Sequence, residues 1–192
     1  MDESKQRYLR GGLLAAAYAA SIILAAYLVI VIGAVPVGFE LVAPAAAYVV
    51  GISLVLRDLA QDQLGPWWTC GAIVVGAALS ALLSPSLALA SGVAFLGSEL
   101  LDMAVYTPLR ERGRLIAAIF ASNVVGTMVD SFVFLMLAFG SLEFFPGQVW
   151  AKMASTAVAA AVIWLIHRHR PDKRPAYIIA REARKASATA AK

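Results

Sequence analysis

The stretch SLALASGVAFLGSELLDMAVYTPL, residues 86–109, decides the class of fold. It is long enough to cross a bilayer as a helix, which takes about 20 mostly apolar residues. Its only charged residues are Glu99 and Asp102. An ionised side chain at mid-bilayer costs about 2.5–3.5 kcal/mol on insertion scales. Two carboxylates therefore persist here only if they face a protected interior, pair with other groups or bind something.

Two more apolar runs each contain a single charge. Residues 115–142 contain only Asp130, and residues 144–166 contain only Lys152. Ionisable residues within transmembrane segments commonly mark substrate or ion pathways. The pattern makes this chain a candidate for binding or moving a polar small molecule within a membrane.

The composition agrees with a membrane protein. Hydrophobic residues make up 61% of the chain and charged residues 15%, with a mean hydropathy of +0.78, whereas soluble domains carry about 25% charged residues. Lipid leaves helices or closed barrels as spanning structures, and these runs are too long and too rich in Ala and Leu for barrel strands. We therefore predict an all-α integral membrane protein, with one transmembrane domain over residues 1–166 and a basic cytoplasmic tail over residues 167–192.

The apolar runs predict six transmembrane helices. They cover about residues 12–35, 41–57, 67–84, 87–107, 115–139 and 147–166. Four prolines fall in the predicted turns, where the missing N–H is harmless: Pro36, Pro66, Pro85 and Pro146. Pro44 falls in the first turn of the second helix, and Pro108 lies just past the end of the fourth.

Basic residues orient the predicted helices. Three Lys or Arg precede the first helix, one follows the second, three follow the fourth and eight follow the sixth. These fifteen of the sixteen basic residues all fall on one side of a six-helix topology, and the sixteenth is Lys152. The positive-inside rule then predicts that both termini are cytoplasmic.

The tail is typical of a stop-transfer charge cluster, which anionic membrane lipids attract. A specific partner site in the tail is the alternative. His167 and His169 are a weak basis for metal binding, and we predict no metal and no cofactor.

The sequence argues against an enzyme. Both histidines lie in the tail, so no Ser–His pair can form inside the bundle, and no G-x-S-x-G motif or P-loop occurs. Asp58 and Asp62 form an i,i+4 pair, but no third acid follows to complete a metal site for phosphoryl transfer. We predict neither an enzymatic activity nor a nucleic-acid partner.

Helical spacing gathers polar residues onto one face of each of the last three helices. The candidate binding residues on these faces are Glu99, Asp102 and Tyr106 on the fourth helix, Asn123 and Asp130 on the fifth, and Gln148 and Lys152 on the sixth. At 1.5 Å per residue, Asp130 and Lys152 lie about 12 Å and about 9 Å from the outer boundary, which predicts an ion pair. Glu99 and Asn123 fall near mid-depth, where we expect them to line the same cavity.

Each polar residue also has a structural interpretation. The Asp130–Lys152 pair can act only as a clamp between helices, and Asn123 can make an interhelical hydrogen bond. Glu99 and Asp102 are harder to explain in this way, because we expect Lys152 to be the only buried cation. Arg57 and Asp58 lie at the inner end of the second predicted helix and are expected either to form a boundary cluster or to gate the site at the cytoplasmic end.

Several of these segments resemble a known family. They are LRDLAQ at residues 56–61 with Gly65, ASGVAFLGSELLD at residues 90–102 running on to VYTPLR at residues 105–110, and SNVVG at residues 122–126 with Asp130, Ser131, Ala138–Gly140 and Gln148. Together they resemble the vitamin uptake or queuosine precursor transporter family over about residues 40–155. The most specific part is residues 98–110.

The resemblance implies a small six-helix importer of the inner membrane, similar in layout to the substrate-binding subunits of energy-coupling-factor transporters. It implies 7-cyano- or 7-aminomethyl-7-deazaguanine as substrate. A carboxylate such as Glu99 suits the adjacent N–H donors of a guanine-like edge, and Lys152, Asn123 or Gln148 suits its carbonyl. Asp102 or Asp130 would meet an aminomethyl cation, while Phe95, Tyr106 and Phe134 either stack on the ring or serve as ordinary packing.

Three interpretations of the function stay open. The chain is either a self-sufficient secondary transporter or a substrate-binding subunit that needs a partner ATPase module. A third interpretation is a structural membrane protein whose polar faces only hold helices together. The expected partners are membrane lipids and a purine-like small molecule, and association with a second copy of the chain stays open.

Overall fold

The computed structural model describes residues 3–83, 85–167 and 175–190, which form seven helices and one two-stranded hairpin. In chain order the elements are α1 (Glu3–Val31), β1 (Ala34–Gly38), β2 (Leu41–Pro44), α2 (Ala47–Leu64), α3 (Pro66–Leu83), α4 (Pro85–Glu111), α5 (Leu115–Phe139), α6 (Phe145–His167) and α7 (Ala176–Ala190). Helix α4 packs on α3 and α5, and α2 packs between α1 and α6. Helices α5 and α6 also pack on each other, so the interior polar faces meet.

The six predicted helices correspond to α1–α6, but several predicted ends are wrong. Helix α2 begins at Ala47 rather than at residue 41, and it continues to Leu64, past Arg57. Helix α4 runs to Glu111 with Pro108 inside its last turn; Pro108 cannot donate to the Ala104 carbonyl, but only three helical residues follow it. No turn signal separates Arg57 from Leu64, because Gly65 and Pro66 are the first helix breakers after Arg57.

A β-hairpin replaces the predicted end of the first helix and start of the second. Gly33 leaves the helix with a φ of +74°, and β1 then pairs antiparallel with β2. Prolines are tolerated in such a two-stranded ribbon because its outer edges need no donor, so Pro36 and Pro44 lie in strands instead of in a turn and a helix. Phe39 and Glu40 close the turn in the left-handed region, with φ values of 52° and 59°.

The hairpin is held against the start of α6. Trp150 Nε1 donates to the Val37 carbonyl at 3.1 Å, and the Phe39 ring meets the Trp150 ring edge-on at 4.9 Å. A Cβ at Gly147 would lie 2.1 Å from the Val42 carbonyl oxygen, so only glycine allows this approach. The hairpin therefore covers one end of the space between α2 and α6.

The distribution of polarity is inverted relative to a soluble protein. Arg57, Asp58 and Asp102 are 0% exposed, whereas Leu13 is 64% exposed and Val158 67% exposed. Large apolar surfaces of this kind face lipid or a partner. By length and composition, three of the described helices can cross a membrane, over Lys5–Val31, Leu115–Phe139 and Phe145–Ile166.

The expected tail contains a helix. Helix α7 docks on the end of α2, where the Tyr177 ring packs on Gly65 and Tyr177 Oη donates to Glu111 Oε1 at 3.0 Å. The His167 backbone ends α6, and His169 lies outside the described residues.

Candidate functional site

A cavity of about 100 Å³ lies between α1, α2, α4, α5 and α6, next to the end of β2. Its wall is mostly apolar, with residues from α1 and from the start of α2. The polar side chains that line it are Ser53, Glu99, Asp130, Gln148 and Lys152. Phe95 and Phe134, which were expected beside the site, also line it.

Lys152 organises the α5–α6 side of the cavity. Its ammonium group forms an ion pair with Asp130, and it donates to Ser131 Oγ at 2.9 Å and to Gln148 Oε1 at 3.1 Å. The ion pair expected between Asp130 and Lys152 is therefore present. All three N–H donors of the ammonium group are used in these contacts, which fixes Lys152 at the cavity wall. The side chain is 2% exposed.

Gly51 on α2 sets how closely α6 approaches. A Cβ there would lie 2.4 Å from the Lys152 carbonyl oxygen and 2.1 Å from Ser155 Oγ. Because a glycine removes this obstacle, the backbones of α2 and α6 come together directly behind Lys152. Thr156 strengthens the contact, since its hydroxyl donates to the Gly51 carbonyl at 3.3 Å.

Arg57 corrects the prediction of a single buried cation. The sequence placed it at a helix end, but it lies within α2 and is 0% exposed. Its guanidinium contacts Asp58 at 2.9 Å and Glu99 at 2.6 Å, and it also forms an ion pair with Asp102. Arg57 and Asp58 therefore lie in the protein interior and not in a loop, and fourteen basic residues, not fifteen, remain on the predicted cytoplasmic side.

Glu99 belongs both to the cavity and to this group of charges. Its Oε2 accepts from Arg57 Nε at 2.6 Å, while Oε1 has no hydrogen-bond partner among the described residues. Tyr18 on α1, which is 1% exposed, also faces Glu99 and stacks on Phe95 with ring centroids 6.2 Å apart. Tyr18 was not among the predicted site residues, although it is an isolated polar aromatic residue in an alanine-rich run.

Asp102 and Asn123 lie behind the cavity and do not line it. Asp102 fits against α5 because residue 126 is glycine, where a Cβ would lie 2.9 Å from Asp102 Oδ2. The Asn123 amide donates to Asp58 Oδ2 at 3.0 Å and to the Ile119 carbonyl at 2.8 Å. Asn123 thus makes the interhelical hydrogen bond that its structural interpretation predicted, and this bond links α5 to α2.

Polar contacts continue from Asp58 to the far ends of α2 and α4. Tyr106 Oη donates to the Asp58 carbonyl at 3.1 Å and lies 3.5 Å from Asp62 Oδ1. Arg110 binds Asp62 through two contacts, Nε–Oδ1 at 2.6 Å and Nη2–Oδ2 at 2.7 Å. The sequence did not predict the Asp62–Arg110 pair, because α2 was expected to end before Asp62.

The described residues contain no group of three or more His, Cys, Asp or Glu side chains arranged to hold a metal ion. The chemistry that the site offers is hydrogen bonding and charge pairing. The cavity presents a carboxylate oxygen, an ammonium-bound carboxylate and an amide to a small polar molecule. Nearby aromatic rings supply flat apolar surface.

Comparison with known families places this geometry in context. Residues 12–168 match the family described as "putative vitamin uptake transporter". No significant match was found among curated proteins or among solved structures. Because the matched segment includes every cavity-lining residue and most of the chain, the chain belongs to this vitamin uptake transporter family of membrane proteins.

Proposed function

We propose that this protein is an inner-membrane importer for a queuosine precursor, either 7-cyano- or 7-aminomethyl-7-deazaguanine. The observation that carries the proposal is the position of Glu99. Glu99 lines the cavity, Arg57 holds its Oε2, and its buried Oε1, beside Tyr18, has no hydrogen-bond partner among the described side chains. A buried carboxylate oxygen in such a place favours a ligand with N–H donors.

A guanine-like edge has the complementary pattern. Its ring N–H and exocyclic amine are adjacent donors, which one carboxylate accepts as a pair. Gln148 also lines the cavity; its Oε1 accepts from Lys152, so its amide Nε2 is the group that would donate to the ring carbonyl. Phe95 and Phe134 provide apolar faces against which a flat ring can stack.

The same cavity accounts for either substituent at the 7-position. Asp130 is 16% exposed and is the cavity acid that remains accessible, so it would meet an aminomethyl cation. The uncharged cyano group would instead lie among the apolar residues from α1. A preference between the two compounds therefore depends on whether the Lys152–Asp130 ion pair opens, so that Asp130 can bind the aminomethyl cation instead.

We further propose that α1–α6 all span the membrane, with both termini cytoplasmic. The shortest of them have 18 residues, about 27 Å of helix, which approaches the hydrocarbon thickness of about 30 Å. The charges of α2 point inward, so they do not oppose insertion of its outer face. Fourteen basic residues of the sequence fall on one side of the predicted six-helix topology, which supports this orientation.

The proposal is tested by uptake of labelled 7-deazaguanines into cells that cannot make them and that express this chain alone. The wild-type chain and Glu143→Gln, which alters an exposed carboxylate, should support uptake, whereas Glu99→Gln should not. Thermal-shift measurements on purified protein with a panel of purines and vitamins check binding directly. Stabilisation by a vitamin but by no deazaguanine would contradict the proposed substrate.

Proteoliposomes that contain only this chain test whether it works alone. Accumulation or exchange of the ligand indicates a self-sufficient transporter. Binding without either would instead identify a substrate-binding subunit that needs a partner ATPase module.

A further inference from the structure

We propose that the cluster formed by Arg57, Asp58, Glu99 and Asp102 binds an exchangeable proton and couples ligand import to proton entry. The inference deepens the proposed function, on which it rests, by assigning the ion that drives transport. It starts from the balance of buried charges. The four members of this cluster, called the Arg57 cluster below, are each no more than 1% exposed.

Two other buried pairs are each balanced. Arg110 binds Asp62 through two contacts, and Lys152 binds Asp130. The Arg57 cluster has one guanidinium for three carboxylates. If all three were ionised, two negative charges in the protein interior would lack a cation from the described residues that contact them. Burying charges in such excess is costly, and binding a proton at one carboxylate relieves it.

The neighbouring helices do not supply the missing positive charge. On α1 the titratable group that faces the cluster is Tyr18, which is neutral when protonated. On α5 it is Asp130, which adds negative charge near Glu99, while Asn123 donates a neutral hydrogen bond to Asp58. On α6 it is Lys152, whose ammonium group already contacts Asp130, Ser131 and Gln148.

Glu99 connects the proposed ligand site to the proposed proton site, because it lines the cavity and also contacts Arg57. To accept the N–H donors of a ligand, Glu99 must be ionised, so the proton resides on an oxygen of Asp102 or Asp58 while the ligand is bound. The proton binds first, so the ligand-free protein holds it at neutral pH, and the ligand follows. On the predicted cytoplasmic side the ligand leaves first and the proton then leaves its carboxylate oxygen; the Tyr106 hydroxyl, which donates to the Asp58 backbone carbonyl and lies 3.5 Å from Asp62 Oδ1, lies between the cluster and that end.

The experiment uses proteoliposomes that contain the full chain, a pH-sensitive dye in the lumen and the uncharged ligand 7-cyano-7-deazaguanine. Ligand entry should acidify the lumen, and a protonophore should abolish accumulation. For one proton per ligand, an inward gradient of about one pH unit should accumulate ligand about tenfold. Ligand uptake that ignores the pH gradient and leaves luminal pH unchanged, or that follows a sodium gradient instead, would overturn the inference and leave the importer proposal intact.

Two variants identify which carboxyl group binds the proton. Asp102→Asn and Asp58→Asn each mimic a permanently protonated acid, so at least one should exchange ligand but no longer acidify the lumen. Glu143→Gln serves as the matched control, since it removes an exposed carboxylate and should preserve coupling.

A ligand-free measurement separates the two proposals. Infrared spectra of the purified protein at neutral pH should contain the carbonyl band of a protonated carboxyl group, and the band should weaken in at least one of the two Asn variants. Absence of the band would overturn the proton site. A band in a protein that binds no deazaguanine would support the proton site and contradict the proposed substrate.

Discussion

Arg57 on α2 and Glu99 on α4 lie 42 positions apart, yet the Arg57 Nε and Glu99 Oε2 atoms approach to 2.6 Å in the protein interior. This contact joins the cavity to the Arg57 cluster. A ligand that binds Glu99, as proposed, would act on a carboxylate that the buried guanidinium already holds.

Replacing Arg57 with Met should destabilise the protein by about 3–5 kcal/mol, because it leaves three buried carboxylates without their cation. Thermal unfolding in detergent measures the loss. Arg112→Met is the control, since Arg112 is exposed, and it should change stability little. A double variant with Asp102→Asn should regain part of the loss. If Arg57→Met unfolds like the wild type, the ion pairs of this cluster do not stabilise the fold.

Gly126→Ala should disturb the contact between α4 and α5. The new methyl group would lie 2.9 Å from Asp102 Oδ2 and 3.1 Å from Asp102 Cβ, so Asp102 would have to move away from Arg57. We expect a destabilisation of about 1–3 kcal/mol, as for overpacked interiors. The matched substitution Gly97→Ala, also within a helix, meets no atom within 4 Å and should be neutral or slightly stabilising. Equal unfolding temperatures for the two variants would contradict the close approach.

A double-mutant cycle of Lys152→Gln and Asp130→Asn separates the two interpretations of this ion pair. If the pair binds ligand, each single variant should lower ligand affinity at least tenfold, as measured by titration of the purified protein. If the pair is only a clamp between α5 and α6, the single variants should lose stability, the double variant should recover it, and ligand affinity should not change.

The docking of α7 should weaken at high pH. Burial, together with the hydrogen bond to Glu111, raises the pKa of Tyr177 above its ordinary value of 10.0. The docked helix therefore favours the neutral phenol. This contribution is complete below pH 10.0 and is lost as the pH rises through the higher pKa of the docked state.

A spin label at Ala186→Cys, in a Cys70→Ala background, measures the mobility of α7. Mobility should rise above about pH 10 in the parent protein. In Tyr177→Phe this alkaline transition should be absent. A transition that persists in Tyr177→Phe would assign it to another group.

Parts of the site follow from helical spacing alone. Glu99, Asp130, Gln148 and Lys152 were predicted from polar faces of three helices, and all four line one cavity. Lys152 and Asp130 could be paired because α5 and α6 are consecutive, so their relative depth follows from a short connection. Their role in binding a substrate stays a prediction.

Other parts could not be predicted from spacing. Arg57 was assigned to a cluster at the end of a helix because a charged residue at the end of an apolar run is typical of a membrane boundary. Its partners Glu99 and Asp102 lie on a helix that is not its neighbour in sequence. The hairpin was missed because Val35, Val37 and Val42 suit either an apolar helix or a strand over so short a span.

The sequence by itself determined that this chain is a helical membrane protein with acids and a cation on inward faces, because the cost of charge in lipid permits no other arrangement. Only the tertiary structure decided which of these groups meet. Contacts such as Arg57–Glu99 depend on how helices distant in the chain pack, and glycines at positions 51 and 126 set that packing through backbone approaches that no local pattern encodes.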